Sequence, residues 1–281
     1  MADAGEALAA IGMLPDAEID PAPAALQLAR LDDGDGTWQR AAAHLSELAR
    51  DAARLGAVLS GRTAEIRIGA LAGLIHGRHG YRGDSESYDD LDNANLIRVI
   101  ERRRGLPVAL GVVWLHCLRA AGWEGHGIDF PGHFLLSLAG PPGRSRQPRR
   151  LLVDPFDDGA VVGSPQLLPM LERIGLDADA LRPGMLKPMT TRGVLLRLQR
   201  NLVSRRLSGG EPEPALRSLE GMLLIAPDVL GNWLDAAELH RGLGRASHAR
   251  RCLEHVLEAA PDTEAARIAQ QRLEALGSGG S

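Results

Sequence analysis

The 281-residue sequence predicts an α+β protein in which helical segments surround one short region of strands. Aromatic residues make up only 3% of the chain, so its core must consist mainly of aliphatic side chains, a composition that suits packed helices better than a β-sandwich. Apolar residues recur at helical spacing along most of the chain and alternate at every second position in two central stretches. An internal repeat near the C-terminal end predicts a further, all-helical part.

The N-terminal part, residues 1–83, is predicted to be an acidic segment followed by helices. Its first 35 residues carry eight acidic side chains and one arginine, Arg30, and are interrupted by three prolines. We expect the first twenty residues to be loosely ordered, because excess charge and proline disfavour a packed core. From Trp38 to about Ile75, leucine and alanine recur every three or four residues, which predicts amphipathic helices.

The central part, residues 84–165, is predicted to be an α+β core. The stretch from Pro107 to Ala121 is apolar nearly all round, which indicates a buried helix that starts at a proline and ends before Gly122. Alternating apolar residues predict strands over Gly132–Leu138 and Arg150–Pro155. The connection between these strands carries three arginines that we interpret as a solvated hairpin tip: Arg144, Arg146 and Arg149.

A connecting segment, residues 166–210, precedes the internal repeat over residues 211–276. Pro227 and Pro261 lie 34 residues apart. The same offset relates four further identical pairs: Ala215 and Ala249, Leu219 and Leu253, Glu220 and Glu254, and Leu223 and Leu257. This period resembles tetratricopeptide repeats, each a pair of antiparallel helices. Two repeats are fewer than an independent solenoid needs, so we expect them to dock on the preceding domain.

The predicted helix and strands follow the order in which papain-like folds supply a nucleophile, a base and an orienting acid. The first strand carries His133 and the second carries Asp154, which are the residue types for the base and the orienter. The same two residues could instead form a hydrogen-bonded polar pair without chemistry, and we favour this interpretation. A metal site of His126, Asp129 and His133 is a weaker alternative, because a Pro-Gly pair interrupts the strand between them.

Four short motifs carry a more specific resemblance. They are Tyr88-Asp89-Asp90 with Asn93 and Asn95, then Arg104-Gly105-Leu106-Pro107-Val108-Ala109-Leu110, then Pro131-Gly132-His133-Phe134-Leu135, and finally Val153-Asp154-Pro155-Phe156. In this order and spacing the chain resembles the bacterial SirB1 family over roughly residues 24–276. Proteins of that family are similar to the transglutaminase core and carry tetratricopeptide-type repeats behind it, so the resemblance implies a papain-like, transglutaminase-like core.

The resemblance also implies which residues form the site. Active transglutaminase-like enzymes carry a nucleophilic cysteine at the start of the central helix, and Ala109 stands there in this chain. A methyl group cannot attack a carbonyl. Cys117 lies eight residues farther along the helix, about 12 Å deeper, and we interpret it as a buried, inert thiol.

Asn93, Asn95 and Arg104 belong to the matched motifs and are candidate binding residues. Each also has a structural alternative. Asp92 or Asn93 could be the N-cap of the following helix, and the run of arginines at residues 102–104 could be the positive charge that favours a helix C-terminus.

We therefore predict a catalytically degenerate transglutaminase-like protein that binds a peptide or protein through its residual cleft, through the repeats, or through both. The alternative is an amide-bond enzyme, acting by acyl transfer or hydrolysis, with His133 as base and Asp154 as orienter. Its attacking group would be water or a loop hydroxyl such as Ser85 or Ser87. The missing cysteine favours the non-enzymatic interpretation.

Composition restricts the remaining possibilities. A net charge of −4 disfavours non-specific nucleic-acid binding. The longest apolar run, Gly105–Leu115, is far short of the roughly 20 residues of a membrane span. Two cysteines, Cys117 and Cys252, form no CxxC pair, and the N-terminus has acids where a signal peptide needs basic residues, so we expect a cytoplasmic protein. Arginine outnumbers lysine heavily, as in GC-rich bacterial genomes, and the sequence predicts no cofactor or metal and no particular oligomeric state.

Overall fold

The structure is a computed structural model that describes residues 3–33, 37–140, 150–177, 179 and 182–278. The chain divides into two compact units. One comprises residues 15–198, and the other combines residues 1–14 with residues 199–281. The predicted arginine-bearing hairpin tip lies outside the described residues.

Helices account for most of the described chain. They are α1 (Ala4–Gly12), α2 (Pro21–Asp33), α3 (Trp38–Val58), α4 (Ala64–Ala72), α5 (Leu96–Arg102), α6 (Pro107–Ala120), α7 (Ser164–Glu172), α8 (Thr191–Ser208), α9 (Pro212–Ile225), α10 (Leu230–Gly242), α11 (Ala246–Ala259) and α12 (Glu264–Ser278). Short 3-10 turns occupy Asp16–Glu18, Leu91–Asn93 and Pro183–Leu186, and a π-helical turn at Gly73–Arg78 follows α4. The predicted α+β class is confirmed.

Two small sheets belong to the unit of residues 15–198. The strands are β1 (Arg82–Gly83), β2 (Arg104–Gly105), β3 (Gly125–Phe130), β4 (His133–Ala139), β5 (Arg150–Asp154) and β6 (Ala160–Val162). β1 and β2 form a parallel pair, and the other four form an antiparallel sheet in the order β3-β4-β5-β6. Sequence periodicity predicts β4 and β5 but misses β3, because two glycines and an aspartate in β3 weaken its strand signal.

Helix α6 is the core of this unit, as the sequence predicts. Pro107 occupies its first turn, and Gly122, with φ of +68°, follows its end. Trp114, Cys117 and most of the other side chains of α6 are buried. Since α6 is apolar nearly all round, it needs neighbours on every side, and α2, α3, β3 and β4 supply them.

The packing around α6 includes a buried polar contact that the sequence does not predict. His116 directs its Nδ1 at Asp20 Oδ2 (2.8 Å) and its Nε2 at the carbonyl of Leu45 (3.0 Å). Burial acts to lower the pKa of His116, but Asp20 and the Leu45 carbonyl outweigh it, so the pKa is raised overall. The histidine therefore connects α6 to both the chain before α2 and the middle of α3.

The two compact units of the structure have different boundaries from the segments predicted from the sequence. The helices before residue 84 share one compact unit with the strands, because they are the cover of α6. The predicted connecting segment, residues 166–210, contains α7, α8 and the boundary between the two units, which falls within α8.

The prediction of a loosely ordered N-terminus is wrong for its first part. Residues Ala4–Gly12 form α1, whose Leu8 is fully buried, and α1 packs on α9 within the unit of the repeats. Gly12 lies so close to the backbone carbonyl of Leu224 that a Cβ at this position would overlap it. Burial of the apolar face of α1 stabilises this helix more than the acidic charge on its exposed side destabilises it.

The repeats form two helix pairs, as the sequence predicts. The first pair is α9 and α10, and the second is α11 and α12. Pro212 and Ala246, the first residues of the leading helices, lie 34 residues apart in the sequence. A shared core joins them: Leu216, Leu234, Ala236, Ala237, Cys252, Leu253, Val256 and Ala269.

Helix α6 and the antiparallel sheet approach each other through two glycines. A Cβ at Gly111, in the middle of α6, would overlap the ring of Phe134 on β4. A Cβ at Gly127 on β3 would lie 2.8 Å from the same ring. The Phe134 ring thus fits between a helix and a strand only because both positions lack a side chain.

We predict that Gly111→Ala lowers the free energy of unfolding by about 1–3 kcal/mol, because overlap with Phe134 outweighs the gain of about 1 kcal/mol in helix propensity. Urea unfolding of the purified protein measures the change. Gly69→Ala is the matched control, since Gly69 is a helical glycine with nothing within 4 Å of its missing Cβ, and it should be neutral or slightly stabilising. Equal effects of the two substitutions would contradict the packing argument.

Candidate functional site

His133 and Asp154 meet at the ends of neighbouring strands. His133 is the first residue of β4 and Asp154 the last of β5, and the two strands are antiparallel. Their side chains are joined by a contact of 2.8 Å between His133 Nε2 and Asp154 Oδ2. This distance agrees with the contact that strand alternation predicts. Gly132, with φ of +71°, makes the turn into β4 that brings the histidine into place.

The main chain fixes the carboxylate of Asp154. Its Oδ1 accepts hydrogen bonds from the backbone N–H of Phe156 (2.8 Å) and of Asp157 (3.4 Å), while Oδ2 faces His133. Only 5% of Asp154 is exposed. A buried carboxylate held on one oxygen by backbone donors keeps its other oxygen in a constant direction, which is what an orienting acid requires.

The imidazole of His133 presents one nitrogen to solvent. When Nε2 carries the proton that bonds to Asp154, Nδ1 has a lone pair, and it makes no hydrogen bond within the described residues. The edge of the ring contacts Phe156 in a T-shaped arrangement with centroids 6.4 Å apart, and Phe156 contacts Tyr88 in the same way at 5.9 Å. His133 therefore has the geometry of a positioned base.

The histidine lies in an open cleft of about 970 Å³. One part of its wall is apolar and includes Tyr88, Phe156, Val161, Pro165, Pro169 and Met170. Tyr88 and Val161 are 41% and 48% exposed, so both leave apolar surface open in the cleft. Polar residues Ser85, Gln166 and Arg173 complete the cleft, so it offers both apolar surface and hydrogen-bonding groups to a ligand.

The cysteine chemistry of active transglutaminase-like enzymes has no counterpart in this cleft. Ala109, in the first turn of α6, is fully buried and does not line the cleft. Cys117 is also fully buried, and burial, together with the charges of Asp20 and Asp51, raises the pKa of its thiol to about 12. Cys252 belongs to the core of the repeats. The only two cysteines of the chain are therefore both outside the cleft.

The candidate binding residues Asn93, Asn95 and Arg104 do not line the cleft. Asn95 is the N-cap of α5, and its Oδ1 accepts hydrogen bonds from the backbone N–H of Ile97 (3.0 Å) and of Arg98 (3.3 Å). The structure thus corrects the predicted cap at position 92 or 93. The assignment of Asn93, Asn95 and Arg104 to ligand binding stays a prediction.

Asn93 and Arg104 differ sharply in burial. Asn93 is fully buried and donates from Nδ2 to the carbonyl of Ser87 (2.6 Å), which holds the loop between β1 and α5. Arg104 is 48% exposed and lies 3.8 Å from Glu86. Asn93 therefore shapes the loop, whereas Arg104 is available at its surface.

A buried ion pair beside this loop is a feature that sequence analysis missed. Asp84 is 2% exposed, accepts the backbone N–H of Ser87 on Oδ1 (3.0 Å) and binds Arg102 on Oδ2 (3.1 Å). Burial acts to raise the pKa of Asp84, but hydrogen bonds from Ser87 and Asn93 and the charges of Arg102 and Arg104 lower it overall. The sequence signal for this pair is the arginine run at residues 102–104, which the sequence alone assigns to stabilisation of the helix macrodipole.

The alternative metal site is not assembled. His126 lies 3.3 Å from Glu124, Asp129 lies 3.2 Å from Arg197, and His133 binds Asp154. His126 and Asp129 also face opposite sides of β3, because they are three residues apart on one strand.

The fold and the site together define a class of protein: a transglutaminase-like α+β domain followed by tetratricopeptide repeats. The chain belongs to the transglutaminase-like superfamily, because a model of that family matches residues 39–200, more than half of the chain. A tetratricopeptide-repeat model matches residues 207–274. Repeats of this kind generally mediate contacts between proteins.

Three bacterial relatives are named as UPF0162 proteins. The protein of Xylella fastidiosa (strain 9a5c) is 29% identical over 201 residues, which cover 70% of this chain and 69% of the relative. That of Vibrio cholerae is 28% identical over 220 residues, covering 78% and 79%. That of Pseudomonas aeruginosa is 31% identical over 180 residues, covering 64% and 63%. No solved structure matches the chain significantly.

Within the described residues, every helix is too short or too polar to cross a bilayer.

We predict that Asp154→Ala lowers the free energy of unfolding by about 1–3 kcal/mol, because the N–H groups of Phe156 and Asp157 and the ring of His133 lose a buried acceptor. Chemical denaturation measures the loss. Asp157→Ala is the control, since this neighbouring aspartate is exposed, and it should stay within about 0.5 kcal/mol of the parent protein. An Asp154→Ala protein as stable as the control would show that the pair does not hold the site together.

Proposed function

We propose that the chain is a catalytically degenerate transglutaminase-like protein that binds a peptide segment of another protein in the cleft around His133. The observation that carries this proposal is the combination of an exposed apolar cleft wall with the missing nucleophile. Tyr88 and Val161 leave large apolar surface open to solvent beside an intact His133–Asp154 pair. Exposed apolar surface of this kind is typical of interaction sites.

An extended peptide suits the shape and chemistry of the cleft. A volume of about 970 Å³ exceeds what one small side chain fills. Pro165, Pro169 and Met170 offer rigid and adaptable apolar contacts, and Gln166 and Arg173 offer hydrogen bonds to peptide carbonyls. Within this proposal, His133 binds the ligand through its free Nδ1 instead of acting as a base.

Loss of the thiol supports binding over catalysis. The SirB1-type motifs align Ala109 with the nucleophile, and both cysteines are buried elsewhere. The repeats add a second surface suited to protein contacts, so a bound partner would engage the chain at more than one place.

The proposal predicts that Val161→Arg weakens peptide binding about tenfold or more, because it places a charge on the apolar wall of the cleft. Peptides selected from a random display library against the full chain provide the ligands, and fluorescence anisotropy measures their dissociation constants. Val58→Arg is the matched control, since Val58 is 77% exposed and lies outside the cleft. Failure to select any binding peptide, or equal weakening by both variants, would contradict the proposal.

One observation favours a second candidate function, an amide-bond enzyme that acts by acyl transfer or hydrolysis. Ser85 and His133 line the same cleft, whereas Ser87 does not line it. In this candidate, Ser85 Oγ attacks the acyl carbon while His133 Nδ1 takes the hydroxyl proton and then gives it to the leaving group. Water hydrolyses the resulting acyl-enzyme and regenerates the serine.

A fluorophosphonate probe separates the two functions. The enzyme candidate predicts a single covalent adduct by intact mass, lost in Ser85→Ala and His133→Ala and retained in Ser87→Ala. Absence of any adduct, together with saturable peptide binding, supports the binding function alone.

A further inference from the structure

We infer that His44, Glu47 and His79 form a transition-metal site, separate from the cleft. Each of the three residues offers a ligand atom, and these atoms lie within 4.8 Å of one another. None of the three lines the cleft around His133. This inference does not depend on the proposed function.

Two different elements bring the ligands together. His44 and Glu47 lie one turn apart on α3, with His44 Nδ1 at 3.4 Å from Glu47 Oε2. His79 follows directly after the π-helical turn Gly73–Arg78. π-helical turns occur frequently at functional sites, and this one is anchored by His76, whose Nε2 accepts the indole N–H of Trp114 (3.0 Å).

The ligand types point to zinc or a similar divalent ion. Two imidazoles and one carboxylate are a common zinc set, and three protein ligands leave a fourth position for water. Half of the Glu47 side chain is exposed, which gives an ion a path to the ligands.

A second carboxylate supports the histidine on the loop. Asp51, one turn beyond Glu47 on α3, is 6% exposed and places its Oδ2 at 3.4 Å from His79 Nε2. Carboxylates in this position orient metal-bound imidazoles in many proteins. Arg54 and Arg78 also bind Asp51, each at 3.0 Å, so the carboxylate is held in place from both sides.

Arg103 already places a positive charge beside this cluster. Its Nη2 lies 3.2 Å from His44 Nδ1, while its Nη1 is anchored to Tyr81 Oη (2.9 Å) and to the carbonyl of Ile100 (2.6 Å). A metal would replace only the Nη2 contact. His44 Nε2 is buried without a hydrogen-bond partner, so the ring breaks no other bond when it turns toward an ion. Arg103 therefore competes with the metal and reduces its affinity.

Isothermal titration calorimetry tests this site. Chelator treatment first removes any bound metal from the full chain, and zinc is then titrated into it. We expect one ion per chain, and at least tenfold weaker binding in Glu47→Gln and His79→Gln. Arg103→Met should strengthen binding, because it removes the competing charge. His126→Gln is the control, since His126 is an exposed histidine outside the cluster, and it should bind as the parent protein does.

Cobalt gives a second readout, because a four-coordinate ion with two imidazoles and a carboxylate absorbs visible light much more strongly, and at longer wavelength, than the octahedral ion in water. Glu47 is half exposed, so Glu47→Gln should fold normally, which circular dichroism verifies. The inference is overturned if the parent protein binds no zinc, or if Glu47→Gln and His79→Gln bind it as tightly as His126→Gln.

Discussion

The site depends on the close approach of α6 to the antiparallel sheet. The ring of Phe134 occupies the space that side chains at Gly111 and Gly127 would otherwise fill. His133 is the residue next to Phe134. The packing of the Phe134 ring therefore fixes the start of β4 and the direction of the His133 imidazole. The contact between His133 and Asp154 is therefore a consequence of packing in the core as much as of hydrogen bonding at the surface.

The sequence predicts the parts of the site that rest on local periodicity. The alternation in β4 and β5 and the apolar face of α6 are properties of short segments, and they place His133 and Asp154 correctly. The pairing of Asp84 with Arg102 depends instead on how the loop between β1 and α5 closes. That closure joins residues distant in sequence, which propensity and spacing do not report.

Burial distinguishes His133 from the cysteines. The imidazole of His133 combines a fixed carboxylate with access to the cleft, whereas the thiol of Cys117 is enclosed in the core of α6 and has a raised pKa. A larger side chain at position 109 would also be enclosed in the core, because Ala109 is fully buried. Cys117 therefore serves as apolar packing in this domain, and Cys252 does so in the core of the repeats.

The packing of α1 on α9 has a consequence for synthesis on the ribosome. Residues 4–12 precede their partner over residues 212–225 by the whole unit of residues 15–198, which is translated between them. The transglutaminase-like unit can therefore fold while α1 still lacks its partner and Leu8 remains uncovered. The packing of α1 in the repeat unit can form only after α9 has been translated.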